Sequence, residues 1–193
     1  MTRNEVDFLM CENKDIEQVL VNETELDAIT TRLAAAIDRD YKDTGRGLVM
    51  VCILKGSVMF YVDLIKKINR PVEMEFMKVS SYGAGSRSTG CINLHLDLKR
   101  TDYEKLDILL VEDIVDSGRT LSMLTELFRE RRVHSVRTCT MLDKPSRREV
   151  DYTPDYKGME IPDAFVVGYG LDYNEYYRDL PYVGVLKPEV YTK

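Results

Sequence analysis

The sequence has no surplus of positive charge: 27 Lys+Arg stand against 33 Asp+Glu, a formal charge of −6 over 193 residues. Non-specific nucleic-acid binding draws most of its affinity from Lys and Arg neutralising phosphates, so an acidic chain without a basic stripe argues against nucleic acid as a partner. Anionic membrane surfaces are disfavoured for the same reason. Long apolar runs are missing too. The longest, Leu48 to Leu54, is far short of the roughly 20 residues that span a bilayer. The opening MTRNEVDFLM lacks the apolar core of a signal peptide. Cysteine is sparse: Cys11, Cys52, Cys91 and Cys139 form no CxxC pair and have no histidine at ligand spacing, which argues against a zinc site. Cys52 and Cys139 sit inside apolar runs, where a free cysteine behaves as a small hydrophobe. These absences point to a reducing compartment, and we expect a cytoplasmic protein.

What is present is an ordinary globular composition, 44% hydrophobic and 31% charged. A chain of this size buries roughly 70% of its unfolded surface, enough for a core without disulfides or a structural metal. Ile16 to Val21 reads as a strand, and Asn22 followed by Glu25 resembles a capping box opening a helix. Leu26, Ile29, Leu33, Ile37 and Tyr41 then keep a three- and four-residue step. Leu48 to Leu54 is uninterrupted apolar, which suits a parallel strand covered on both faces.

A helix over Ser57 to Ile68 follows, with Val58, Tyr61, Ile65 and Ile68 on one face, then a strand over Val72 to Val79. Ser80 to Gly90 is too small and polar to pack. Ile92, Leu94, Leu96 and Leu98 alternate with polar residues, giving a hairpin partner. Asp107 to Glu112 predicts a buried strand, Thr120 to Arg131 a helix and Ser135 to Leu142 another strand. The alternation defines an α/β fold. Between Asp143 and Pro162 little periodicity remains, and AFVVGYG, LDYNEYYRD and YVGVLK supply short pieces that we expect to cap the sheet.

The informative segment is the buried strand running through Glu112, Asp113 and Asp116 into the small-residue turn Ser117-Gly118-Arg119-Thr120 before a helix. In open α/β sheets ligands bind outside the carboxyl ends of the strands. A turn at a helix N-terminus offers free N–H groups and a favourable dipole to a phosphate. Gly118 lets the backbone approach closely, and the hydroxyls add donors. The GxxxxGK[ST] spacing of a nucleoside-triphosphatase loop is absent. Adjacent acids suit a vicinal diol or a hydrated Mg²⁺. For both Glu112 and Asp113 to reach one ligand the strand must end there, because neighbouring strand residues point to opposite faces.

This segment resembles the phosphoribosyl-diphosphate (PRPP) signature of the type I phosphoribosyltransferases. Leu54-Lys55-Gly56-Ser57, Ser80-Ser81-Tyr82-Gly83, Leu142-Asp143-Lys144-Pro145-Ser146-Arg147-Arg148 and Phe165-Val166-Val167-Gly168-Tyr169-Gly170-Leu171-Asp172-Tyr173 resemble, in order, the motifs of the family's hypoxanthine-guanine branch, bacterial kind. The resemblance runs from about Ile16 to Leu186. It implies the type I phosphoribosyltransferase fold: a mostly parallel sheet flanked by helices, in a single domain over 1–193. The core would span about 16–142, with a small hood mainly from 143–193 and part of the N-terminus.

The resemblance further implies transfer of 5-phosphoribosyl from PRPP to N9 of hypoxanthine or guanine, giving IMP or GMP plus pyrophosphate. Asp116 matches the general base, near purine N7. Glu112, Asp113, Asp116, Ser117, Gly118, Arg119 and Thr120 match the PRPP and 5′-phosphate site, with no role attached to the Arg119 side chain. Lys55, Gly56 and Arg178 match the pyrophosphate contacts, the bond before the lysine often being a non-proline cis peptide. Lys144, Phe165, Val166 and Asp172 match the purine pocket, and Glu112, Asp113 and Asp172 the Mg²⁺ ligands. Ser81 and Tyr82 begin a loop that the family closes over the reacting centre. Lys144 has donors only, which suits a 6-oxo acceptor and disfavours adenine. The sequence hardly decides between guanine and xanthine, which differ at C2. Family members are usually dimers or tetramers, so we expect a homo-oligomer. A ligand-sensing regulator on the same fold is the rival reading, but an RNA- or DNA-binding relative should show a basic face. Neither Arg129 to Arg132, broken by Glu130, nor Lys66-Lys67 makes one.

Overall fold

A computed structural model describes residues 13–42, 44–81 and 92–192. Cys11, Cys91 and the loop that begins at Tyr82 lie outside the described residues. The capping box forms as read. After β1 (Ile16–Val21), Asn22 accepts from the Glu25 backbone N–H at 3.0 Å, and the Glu25 carboxylate accepts from the Asn22 N–H at 2.9 Å. Two otherwise orphaned donors are satisfied at the start of α1 (Glu23–Asp40). Leu26, Leu33, Ile37 and Tyr41 are buried along its stripe.

The central sheet has six strands, β2 (Gly47–Leu54), β3 (Glu73–Ser81), β4 (Ile92–Leu96), β5 (Leu106–Val115), β6 (Ser135–Asp143) and β7 (Tyr156–Glu160), in the order β4-β3-β2-β5-β6-β7. Only β3 and β4 pair antiparallel; the remaining pairs are parallel. β2 is buried on both faces, as its apolar run requires. Val49, Val51 and Ile53 join Ile108 and Leu110 beneath α3 (Arg119–Glu130), while Met50 and Cys52 join Leu109, Val111 and Cys139 beneath α1 and α2 (Val58–Ile65). α2 ends earlier than expected and buries Phe60 and Leu64 beside Tyr61. On β4 the expected inward alternation is incomplete, because Leu96 of this edge strand is 44% exposed.

A second, antiparallel sheet forms the hood, in the order β1-β9-β8, from β1, β8 (Val166–Val167) and β9 (Val183–Leu186), followed by one helical turn, α4 (Pro188–Tyr191). β1 is thus the N-terminal strand of this second sheet. One boundary needs correction. Tyr156–Glu160, placed with the hood from its weak periodicity, pairs with β6 as the sixth strand of the central sheet. Its small exposed edge and the Gly158 approach to the Met141 carbonyl leave little apolar alternation to read.

Candidate active site

β5 does not stop at Glu112. It stays paired with β6 through Val115 opposite Asp143. The alternation nevertheless slips across Glu112 and Asp113: Ile114 joins the cluster of Leu109 and Val111, and Val115 that of Ile108 and Leu110, the reverse of strict period two. The two acids thus lie where the pleat is interrupted, at the carboxyl end of the central strand. Asp113 accepts from the Ile114 N–H at 2.6 Å and packs against Gly56. Gly56 lies in the β2–α2 loop, whose Leu54–Lys55 peptide bond is cis, as the resemblance implied. Gly170 of the hood seats on the Gly56 carbonyl, 1.9 Å from where a Cβ at 170 would be.

Beyond β5 the turn holds Gly118 at φ +81, a conformation that favours glycine, and α3 starts there, with the Ser117 hydroxyl accepting from the Arg119 N–H at 3.3 Å. Its first-turn N–H groups have no partner within the helix. The Arg119 side chain pairs with Glu149, 2.6 Å from Nε.

Asp116, Lys144, Phe165 and Val166 are brought together in one cleft of about 370 Å³, along with Ile114, Leu171 and Tyr191. Lys144 is 8% exposed; its Nζ donates to the Ala164 carbonyl at 2.7 Å, and burial pulls its pKa below the usual lysine value against the raising influence of Asp116 and Asp163. An ammonium has three donors, so two remain for a ligand. Arg147 Nε lies 3.4 Å from the Asp116 carboxylate, and Arg148 donates to the Asp116 carbonyl at 2.7 Å. Arg148 also pairs with the buried Asp143.

Lys55, Arg178 and Asp172 gather in a second cluster rather than in the cleft wall. The Arg178 guanidinium donates to the Gly170 carbonyl at 2.7 Å and lies 2.8 Å from Asp172. Glu175, which the sequence did not single out, accepts from Lys55 Nζ at 2.9 Å and from Arg178 at 3.2 Å. The signal available was the spacing of Asp172, Glu175 and Arg178 within LDYNEYYRD. Arg147 and Arg148 were likewise visible only as part of a motif.

The acids of β5 are electrostatically unsatisfied. Glu112 Oε2 is buried without a hydrogen-bond partner, and burial, with Asp113 adding, holds Glu112 well above the usual carboxylate range. Burial pushes Asp113 up to about 6; the Ile114 N–H and Arg178 oppose this, and Asp172 adds to it. Uncompensated hard oxygen donors of this kind fit a divalent cation. Among the described residues no three metal-ligating side chains are gathered into a cage. Mg²⁺ is commonly held by only one or two carboxylates plus substrate phosphates, so the donor set fits that mode. The Cys52 and Cys139 thiols are free and buried, and burial pushes Cys52 up to about 11, which suits inert hydrophobes. Ser81 closes β3, and Tyr82 lies outside the described residues.

The glycine turn at the end of a central parallel strand, backed by acids, lies within a phosphoribosyl transferase domain, whose family model matches residues 16–174. The chain is 50% identical over 181 residues to a hypoxanthine-guanine phosphoribosyltransferase of Staphylococcus epidermidis, covering 94% of this chain and 99% of that protein. A Staphylococcus aureus hypoxanthine-guanine phosphoribosyltransferase is 48% identical over 180 residues, 93% and 99% of the two chains. The crystal structure of a hypoxanthine phosphoribosyltransferase from S. aureus superposes with a TM-score of 0.87 at 49% identity, over 93% of this chain and 96% of that one. The chain belongs to the hypoxanthine-guanine phosphoribosyltransferase family. Its fold is the type I phosphoribosyltransferase fold.

Proposed function

We infer that the protein is a purine-salvage transferase that moves 5-phosphoribosyl from PRPP to N9 of hypoxanthine or guanine, yielding IMP or GMP and pyrophosphate. The observation that carries this reading is the convergence of Lys144, Asp116 and Phe165 on one cleft beside the phosphate turn. The two free Lys144 donors address the purine 6-oxo group. Phe165 stacks on the base and Val166 reads its edge through the backbone. Asp116 takes or shares the N7 proton as positive charge develops on the base, a contribution of roughly 10²–10⁴ in rate.

Backbone N–H groups from Ser117 to Thr120 hold the 5′-phosphate, with the Ser117 and Thr120 hydroxyls as further donors. Lys55, the Gly56 backbone and the Arg178 fork receive pyrophosphate. Glu112 and Asp113 face the ribose hydroxyls and, directly or through water, would hold one Mg²⁺, and Asp172 would hold a second; the metal would neutralise the departing diphosphate. Ser81 and Tyr82 close over the centre to keep water from hydrolysing PRPP. The enzyme is cytoplasmic and works as a homo-oligomer, dimer or tetramer. Exposed Met59 and Val62 on α2 and Met74 and Phe76 on β3 offer apolar surface for self-association.

One assay tests the reaction and its specificity. The protein is incubated with PRPP, Mg²⁺ and each of hypoxanthine, guanine, xanthine and adenine, and the nucleotides are separated. IMP and GMP are expected, with adenine unreacted; the xanthine arm measures how the C2 edge is read. No nucleotide from any base would overturn the assignment.

A further inference from the structure

The last helical turn carries a contact that the residues assigned above do not use. Tyr191 of α4 stacks on Phe165, with ring centroids 4.7 Å apart and planes inclined by 21°. Tyr173 meets Phe165 edge-on, at 5.7 Å and 87°. Tyr191 also lines the cleft that holds Lys144 and Asp116. Phe165 itself precedes the two-residue strand β8 and is 37% exposed. Its backbone is fixed by the Leu186 N–H donating to its carbonyl at 2.8 Å. That bond does not fix the plane of the ring, whose orientation is left to its aromatic neighbours.

The turn that presents Tyr191 is anchored. The Lys187 N–H donates to the Asp15 carbonyl at 2.9 Å, and Lys187 Nζ to the Lys14 carbonyl at 2.6 Å. Val190 and Tyr191 pack against the hood core of Ile16, Val167, Tyr182 and Leu186. The Thr192 N–H and hydroxyl both return to the Pro188 carbonyl. With its turn anchored and its side chain packed on this core and on Phe165, Tyr191 forms part of the cleft wall.

We propose that Tyr191 is a positioning residue for the purine: stacked on one face of Phe165, it fixes the ring so that the opposite face is presented to the base. A three-layer stack of base, Phe165 and Tyr191 spreads the cost of ordering Phe165 before the base arrives, so its loss is read in base affinity and not in the chemical step. The proposal rests on the assignment of Phe165 as the base-stacking residue, and the test separates the two.

Steady-state kinetics on the full-length Tyr191→Ala, Tyr191→Phe and Phe165→Ala proteins provide that test. Tyr191→Ala is expected to raise KM for hypoxanthine and guanine by about three- to tenfold, the range of one aromatic pair, with kcat and the KM for PRPP within twofold. Tyr191→Phe keeps the ring and restores the wild-type KM. An unchanged or lowered base KM in Tyr191→Ala overturns the proposal. So does an equal loss in kcat or PRPP affinity, which marks a general role in holding the hood. If Phe165→Ala raises the base KM while Tyr191→Ala does not, the stacking assignment stands without Tyr191. If neither variant changes it, the Phe165 assignment itself fails.

Discussion

The Asp113 carboxylate fills the space that a side chain on Gly56 would need: a Cβ built on Gly56 falls 1.5 Å from Asp113 Oδ2. The β2–α2 loop and the acid of the central strand are therefore in direct contact. Gly56→Ala must push Asp113 out of place or move the loop, which also carries the Gly170 seat. A displacement near 1 Å at reacting groups costs about 10²-fold in rate. Turnover of the variant is expected to fall on that scale with a lowered melting temperature; wild-type turnover would show that the loop yields freely.

Asp116 has a different signature. Its side chain is 47% exposed and its nearest charged neighbour is Arg147 at 3.4 Å, so Asp116→Asn removes a base without opening a cavity. Turnover is expected to drop about 10²–10⁴-fold, while the thermal melt stays at the wild-type midpoint. A variant that turns over normally would remove the general-base role.

Glu175 occupies the cations that pyrophosphate is expected to use, accepting from Lys55 and Arg178 together. Those contacts, the Lys55 hydrogen bond first, pull its carboxyl below the usual range. Lys55 and Glu175 are 49% and 64% exposed, so this pair adds little to stability. Glu175→Gln frees the cations and removes a competing anion. The KM for PRPP is expected to fall about two- to fivefold, with no change in melting temperature, and a raised KM would show that Glu175 instead orients Lys55 and Arg178.

At the opposite end of β5, Asp107 accepts from Ser135 Oγ at 2.6 Å, contacts His134 Nδ1 at 3.0 Å and pairs with Arg46 at 3.3 Å. Burial alone raises its pKa, but these partners outweigh it and the net shift is downward. A depressed folded pKa contributes stability that is complete above the unfolded value, about 3.9, and is lost as pH falls from there through the folded pKa. Stability is therefore expected to fall below about pH 4. Asp107→Asn should cost about 1–3 kcal/mol at neutral pH and flatten that acid limb. Chemical denaturation at a series of pH values measures both; an unaltered acid limb in the variant would assign the loss to other carboxylates.

Much of the fold was legible from local pattern. The Asn22–Glu25 cap, the α1 stripe and the two-sided burial of β2 appear as read, because each depends on residues a few positions apart. The turn at Gly118 was legible for the same reason: its backbone conformation is set by residues contiguous in sequence. Less legible were Tyr156–Glu160, whose strand character comes from pairing with β6, and the end of β5, where pairing persists while the pleat slips. For Glu175 the spacing from Asp172 and Arg178 was the one local signal, and its pairing with Lys55, 120 residues away, lay beyond any local pattern.

The sequence by itself determined most of the strands and helices, the glycine turn after β5 with its acids, and the donors and acceptors those side chains carry. These follow from periodicity, backbone preference and the donors and acceptors each residue type carries. Only the tertiary structure decided that Gly56, Asp113 and Gly170 stack without room for a methyl group. It alone set Asp172 beside Arg178, and Tyr191 against Phe165. These placements bring together segments far apart along the chain. Close packing of the hood on the sheet fixes their separations to fractions of an ångström, and no local pattern of residues encodes such a distance.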